Sequence, residues 1–276
     1  MRKLIAIALL ASASGVASAE EDSPKGDIGI TIEAMSDYMD SGYTNSDHDP
    51  SVLVAIKPSY GIFDGKLSVQ TIDYGLPEPK LETKFAIGAT PEFGNLAVNF
   101  NLERRIKWDD QTEARWLPYV TGTYTFNDSF SASLGLGYYA YDDVSQADFW
   151  ELYADATYLH ESGISLFGEF YWEPDSDDAG NAYYAVYGTL SVPFKEKFEA
   201  IGKIGFEGYE DEINTPSYLW WETGLYYAFN DHIKVGVAYH GSDLSDADCA
   251  LQAYTDCDHV VFGKLTLTGN ASDLKN

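Results

Sequence analysis

Basic residues are scarce in this sequence. It contains 17 lysines and arginines against 44 aspartates and glutamates, which gives a formal net charge of −27 at pH 7. Nucleic-acid binding requires clustered Lys and Arg to neutralise phosphates, so the composition excludes that class of partner. An acidic surface attracts cations and also keeps a protein soluble, and both roles are open at this point.

Long hydrophobic runs are missing as well. Beyond residue 20, no segment reaches the roughly 18 consecutive apolar residues of a transmembrane helix. A β-barrel, in contrast, crosses a membrane with short alternating strands that barely register in hydropathy. The 21 tyrosines, 14 phenylalanines and 24 glycines favour an all-β fold.

The N-terminus has a different pattern. Two basic residues precede an apolar run over residues 4–10 and a small-residue stretch that ends at Ala19. This is the layout of a secretory signal peptide. We therefore predict cleavage between Ala19 and Glu20, with 1–19 as the signal peptide and 20–276 as a single barrel domain that is exported.

Segments in which apolar and polar residues alternate recur along the rest of the chain, with turn residues between them. Most are longer than the roughly 5–6 residues usual in soluble domains and match the roughly 9–11 residues of a tilted membrane strand. They predict an all-β fold, a transmembrane antiparallel up-and-down β-barrel of about 14 strands, with about 12–16 as the range. The predicted strands are 27–38, 51–60, 66–74, 81–91, 96–106, 113–126, 130–141, 148–159, 164–173, 182–193, 198–210, 218–229, 233–240 and 259–269.

The connections alternate between short turns and longer, more acidic loops. Outer-membrane barrels have short periplasmic turns and longer extracellular loops. The stretch 36–52 then contains the first extracellular loop, which we predict to be polar because it faces water. Tryptophans fall near the longer loops and phenylalanines near the short turns, as expected for aromatic girdles at two membrane interfaces. A soluble all-β protein, the alternative, would not sort its aromatic residues in this way.

Charged side chains concentrate on one face of the predicted strands. An Arg or Lys on the lipid face near the bilayer centre costs about 2–4 kcal/mol, so the polar face must turn inward. Fourteen strands enclose more space than side chains easily fill, which favours a wet pore over a closed interior of paired charges. The pore-lining candidates are Glu33, Lys57, Lys84, Glu103, Arg115, Glu151, Asp155, Glu169, Lys203, Glu207, Glu222 and Lys234.

Acids outnumber bases in this predicted lumen, and the longer loops add further acids. A negative mouth attracts cations, although a Debye length of about 8 Å at physiological salt weakens the effect in a wide pore. We expect a mild cation preference that weakens as salt rises. A one-residue slip would exchange the faces of a strand, so a local anion-binding ladder formed by the bases is the open alternative.

Sequence signals for enzymatic chemistry are few. The two cysteines, Cys249 and Cys257, share the last long loop, and in an oxidising compartment we predict a disulfide worth about 2–3 kcal/mol. Their spacing, with one nearby histidine, is poor for zinc. His48 lies between two aspartates, but adjacent residues on an extended chain point opposite ways. No nucleophile elbow or phosphate-binding glycine loop occurs, so we predict no metal, no cofactor, no catalytic residue and no enzyme.

After the first predicted strand come Asp37, Tyr38, Gly42, Thr44, Ser46, Asp47 and Pro50. This pattern resembles the N-terminal signature of the TorF family of porins, which are bacterial outer-membrane barrels. The segment Ile72, Asp73, Tyr74 and Gly75 is similar to the second-hairpin element of that family. The acidic loop with Cys249 and Cys257, followed by Val260, Val261 and Phe262, is similar to its C-terminal layout. The resemblance implies passive permeation and names no substrate.

Together these patterns predict a porin-like channel in the Gram-negative outer membrane for small hydrophilic solutes or cations. Its expected surroundings are outer-membrane lipid and lipopolysaccharide, with a homo-oligomer left open. The alternatives are a non-conducting barrel that acts as an adhesin or envelope anchor and, less favoured, an outer-membrane barrel enzyme.

Overall fold

The computed structural model describes residues 26–73, 80–108, 110–143, 148–174, 181–210, 216–251 and 257–275. The predicted signal peptide and its cleavage site lie outside these ranges. Within them, no helix combines the length and the apolar character needed to cross a membrane.

Fourteen long strands form one antiparallel sheet, in which each strand pairs with its neighbours in the sequence and the first pairs with the last. The predicted all-β up-and-down barrel of fourteen strands is confirmed, and every predicted strand overlaps an observed one. The strands are β1 Gly26–Met35, β2 Ser51–Tyr60, β3 Phe63–Ile72, β4 Lys80–Ala89, β5 Leu96–Lys107, β6 Asp110–Asn127, β7 Phe130–Tyr141, β8 Phe149–Leu159, β9 Ser165–Glu173, β10 Tyr183–Phe194, β11 Phe198–Tyr209, β12 Tyr218–Asn230, β13 Ile233–Ser242 and β14 Val260–Asn270.

The two faces of each strand differ in chemistry. In β1, Ile28, Ile30 and Ile32 are exposed on the outside, whereas Thr31 and Glu33 are buried on the inside. This follows from the period of two along a strand, which sends successive side chains to opposite faces. The closed sheet therefore has an apolar outer surface and a polar interior.

The barrel closes where β1 meets β14. Glu33 lies opposite Thr266 in the ladder, and the Lys264 ammonium is 2.9 Å from its carboxylate. Beyond β14 the chain makes a short 3₁₀ turn, Ala271–Lys275. There the backbone N–H and the hydroxyl of Ser272 both donate to the Asp27 carboxylate, which fixes the end of the last strand to the start of the first.

One arginine near the longer-loop end points outward. Arg104 lies opposite Trp116 on β6, with its guanidinium 5.1 Å from the centre of that indole ring. It also forms an ion pair with Asp142, just beyond β7. The hydrogen bond from the guanidinium holds the pKa of the Asp142 carboxyl below its usual value. The charge is thus neutralised at a rim, where an arginine costs much less than at mid-bilayer.

The loop before β14 contains a one-turn helix, Asp246–Leu251, and a disulfide between Cys249 and Cys257. The disulfide predicted from the sequence is present. In the protein from its native envelope, we expect mass spectrometry of non-reduced peptides to show the two cysteines linked. A Cys249→Ser variant should instead release one alkylatable thiol at Cys257. Alkylation of both thiols in the unreduced native protein would contradict the pairing.

A lumen with two unlike walls and an inward hairpin

The strand register places several of the twelve predicted pore-lining residues side by side. Asp155 on β8 is opposite Glu169 on β9, and Lys203 on β11 is opposite Glu222 on β12. Glu33, Glu207 and Glu222 are buried. That the twelve residues line a pore stays a prediction.

Carboxylates on β8, β9 and β11 bind hydroxyl groups. Glu151 accepts a hydrogen bond from Tyr139 at 3.1 Å, and Asp155 accepts one from the Ser133 hydroxyl at 3.1 Å. Tyr171 donates to Glu169 at 2.8 Å. These hydroxyls are neutral donors, so their hydrogen bonds do not cancel the charge of these carboxylates. This side of the interior is called the acidic wall below.

Aromatic rings on the same side form a row. Neighbouring ring centres are 5.1 Å apart between Tyr153 and Tyr171, 5.8 Å between Tyr171 and Tyr187, and 5.4 Å between Tyr187 and Trp220. The row ends at His240, which stacks on Trp220. Aromatic pairs of this kind stabilise a folded protein by about 0.5–1.5 kcal/mol each beyond the effect of their buried area. They restrict the side chains on this side of the barrel.

Basic side chains gather on β2 to β5, here called the basic wall. Lys57, Lys66 and Lys84 line one cavity there, and Arg105 lies opposite Lys84 in the ladder. Sequence reasoning selected Lys57 and Lys84 but missed Lys66 and Arg105. The sequence did contain a signal for Arg105. Successive side chains of a strand point to opposite faces, so one of the two consecutive arginines 104 and 105 must face inward.

Elsewhere on the interior, acids and bases form direct pairs. The ammonium of Lys203 is 2.8 Å from Glu222, and that of Lys234 is 2.9 Å from Glu199. Glu199 was not among the predicted pore-lining residues. Since each of these pairs is neutral, the net charge of the interior depends on the acidic wall and the basic wall.

Most of the loop between β1 and β2 does not extend away from the barrel. The prediction that it is polar because it faces water is wrong for residues 37–46, of which most are buried or half-buried, whereas residues 47–50 are exposed. Two short strands, Met39–Asp40 and Tyr43–Thr44, pair to form a hairpin. The hairpin, with the flanking residues to 37 and 46, is called the inward hairpin below. Met39, Thr44 and Ser46 are buried, because the hairpin folds back against the interior wall.

The tip of the inward hairpin is fixed to the wall by a backbone hydrogen bond. The Gly42 N–H donates to Nε2 of His240 at 3.0 Å, and the Ser41 side chain interacts with Tyr187 and Glu207. Ser41 and Gly42 both have positive φ, 48° and 98°, as a tight hairpin turn of this hand requires. The tip therefore docks on β10 to β13.

The base of the hairpin is organised by one buried carboxylate. Asp37 accepts hydrogen bonds from the Thr44 hydroxyl at 2.7 Å and the Ser46 hydroxyl at 3.1 Å, and its other oxygen is 2.7 Å from Nδ1 of His48. The partner of His48 is thus eleven positions away, which sequence reasoning missed. Asp37, Gly42, Thr44 and Ser46 are among the residues that carry the TorF resemblance, so that motif specifies the folded hairpin.

Asp40 brings a carboxyl group into the barrel interior. It interacts electrostatically with Lys203 on β11 and with Lys84 on β4, and burial raises the pKa of this carboxyl above its usual value. Because the two lysines belong to distant strands, Asp40 lies between well-separated parts of the wall. The hairpin therefore occupies part of the interior.

Groups suited to other chemistry are not assembled in the part of the chain that the structure describes. There, no three His, Cys, Asp or Glu side chains come together in an arrangement that could hold a metal ion. The described interior contains charged side chains, hydroxyl groups and aromatic rings. Such an arrangement can attract small polar solutes and orient them.

Comparisons with known proteins agree with this architecture. No protein-family model matches the sequence, and a search of curated proteins finds no match. Solved structures do match. OmpF of Salmonella typhi, in complex with daunomycin, is 11% identical with a TM-score of 0.54, over 89% of this chain and 97% of that chain. OprB of Pseudomonas putida is 8% identical with a TM-score of 0.53, over 90% and 94%.

A third match is the outer membrane protein Omp33 of Acinetobacter baumannii. It is 10% identical with a TM-score of 0.50, over 88% of this chain and 96% of that chain. At these low sequence identities, the TM-scores show a shared fold. The chain has the fold of bacterial outer-membrane porins and channels.

Proposed function

We propose that this protein is an outer-membrane channel through which small hydrophilic solutes and ions diffuse passively, with a mild preference for cations. The observation that carries the proposal is the interior of the barrel. Its buried side chains include the polar groups of Thr31, Glu33, Ser68 and Glu222, whereas large apolar side chains are exposed on the outer surface. A closed barrel with this inside-out distribution suits a lipid exterior and an aqueous lumen.

The cation preference is supported by the division of charge. Carboxylates on the acidic wall bind hydroxyls, and Asp40 adds a further carboxyl group in the barrel interior. The direct ion pairs of Lys203, Lys234 and Lys264 with Glu222, Glu199 and Glu33 add no net charge of either sign. Fixed carboxylates along a pore raise the local concentration of cations, and salt screens the effect.

Planar-bilayer recording tests the proposal. We expect stepwise conductance, and in a KCl gradient a reversal potential of the sign for cations that shrinks as total salt rises. Heat-dependent gel mobility confirms that the barrel is folded. A folded and inserted barrel without conductance steps would favour the adhesin or envelope anchor. A clear anion preference at low salt would refute the cation preference while leaving the channel intact.

The proposal also includes the surroundings of the barrel. Export after removal of residues 1–19 would deliver it to the Gram-negative outer membrane, in contact with lipid and lipopolysaccharide. The apolar outer surface supports this location, as does the aromatic and arginine cluster of Trp116 and Arg104 at one rim. Membership of the TorF family, a homo-oligomeric assembly and the lack of enzymatic activity stay predictions.

A further inference from the structure

Two lysines face each other on the basic wall. Lys57 on β2 and Lys66 on β3 lie between the ladder pairs Ile56↔Leu67 and Ser59↔Asp64, which places them opposite each other on the interior face. Like charges directly opposite on neighbouring strands destabilise a sheet. Neither lysine forms an ion pair with any residue in the described ranges. The two lysines therefore lower the stability of the sheet, and a function of these two charges would account for their position.

The cavity between these lysines is built to hold something small. Its volume is about 130 Å³, and its lining also includes the polar side chains of Thr31, Ser68, Gln70, Glu82 and Lys84 and the apolar ones of Leu53 and Ala55. Ser68 and Gln70 are buried, and their hydroxyl and amide groups are hydrogen-bond donors. A space of this size exceeds the roughly 30 Å³ of one water molecule and is large enough for a small polyatomic anion.

The acids near the cavity do not cancel its charge. One oxygen of Glu82 is 3.0 Å from the Lys84 ammonium, and the other pairs with Arg105. Glu103 on β5 and Asp40 of the hairpin interact with Lys66 and Lys84 at longer range. The four bases Lys57, Lys66, Lys84 and Arg105 thus outnumber by one the three carboxylates that interact with them, those of Glu82, Glu103 and Asp40. The low-dielectric wall concentrates the resulting positive potential in the cavity.

We propose that this cavity is an oxyanion-binding subsite in the wall of the channel. It would take the carboxylate or phosphate group of a small solute between the Lys57 and Lys66 ammonium groups, with Ser68 and Gln70 as donors. Charge-assisted hydrogen bonds to an oxyanion are about twice as strong as neutral ones. The proposal rests on the proposed function, because the solute must reach the lumen. A pore that prefers cations would then also bind anionic solutes transiently at one site in its wall.

Single-channel recording of the full barrel in KCl tests the subsite, with inorganic phosphate and succinate as separate probes. In the wild type we expect each active probe to reduce the current in a saturable way. A Lys57→Gln/Lys66→Gln variant should raise the half-blocking concentration about tenfold, since two charge-assisted contacts are lost. The matched control is Lys195→Gln/Lys197→Gln, which removes the same charge from an exposed turn and should leave the block unchanged.

The outcomes separate the two proposals. Block by either probe that weakens in the double variant supports the subsite, and the active probe shows whether phosphate or carboxylate is preferred. Block by neither probe, or equal block in wild type and double variant, overturns it. A wild type without conductance overturns the proposed function instead. If the double variant does not assemble, as judged by gel mobility, the single Lys57→Gln and Lys66→Gln variants are expected to show intermediate shifts.

Discussion

Replacing Asp37 with alanine is expected to raise the single-channel conductance about twofold, because current through a pore depends on its open cross-section. Asp37 joins the Thr44 and Ser46 hydroxyls and the His48 imidazole at the base of the inward hairpin. Without this carboxylate, the buried hydroxyls of Thr44 and Ser46 lose their acceptor, at about 1–3 kcal/mol for each unsatisfied group. The hairpin should then leave the lumen for part of the time. Conductance and its fluctuation in planar bilayers measure the effect.

Two further variants control for charge. Asp49→Ala removes the same charge from the same loop, at an exposed position, and should leave the conductance near its wild-type value. Asp37→Asn keeps one oxygen as an acceptor for Thr44 and Ser46, so an intermediate conductance is expected. If Asp37→Ala is folded and conducts like the wild type, the hairpin does not narrow the passage.

A Gly42→Ala substitution should detach the tip of the hairpin. A Cβ at this position would lie 3.0 Å from Cβ of Ser242 and 3.1 Å from side-chain atoms of Trp220 and Tyr218, and φ is +98°. Strain of about 1–3 kcal/mol is expected for such backbone, which shifts the ratio of docked to free hairpin by a factor of about 5 to about 150. We expect noisier current and faster protease cleavage within 36–50.

Gly94, in the turn between β4 and β5, provides the matched control. Its φ is +64°, but no atom lies within 4 Å of the place that a Cβ would take. Gly94→Ala therefore introduces a similar backbone strain without a contact and without touching the hairpin. Equal protease sensitivity of 36–50 in the two variants would show that crowding against β12 and β13 does not hold the tip in place.

The strands were predictable from the sequence because one local rule, the period of two, governs both pairing and burial. In 198–207 the alternation of Phe198, Ile204 and Phe206 with Lys203 and Glu207 identified the two faces, and the register agrees. The wall separates two unlike environments, lipid and lumen, so the sequence pattern carries a strong signal. The disulfide was predictable because both cysteines lie in one loop.

The inward hairpin was not predictable in the same way. A small polar loop has the same composition whether it faces bulk water or a wet lumen. What decides between the two is contact with distant positions, such as Gly42 with His240, which are 198 residues apart. Likewise, Lys66 and Lys57 look like ordinary polar positions until the register places them opposite each other. Non-local contacts of this kind leave no periodic trace in one sequence.

The docking site of the hairpin also implies an order of folding events. The hairpin follows β1, whereas its anchors lie on β12 and β13, near the other edge of the sheet before closure. Those edges meet only when β1 pairs with β14, a step that brings together the ends of the barrel and is slow because of its high contact order. The hairpin can therefore dock only after the seam has formed. Directly after closure, the interior of the barrel is still free of the hairpin. Docking of the hairpin, the last step of assembly, then reduces the open cross-section.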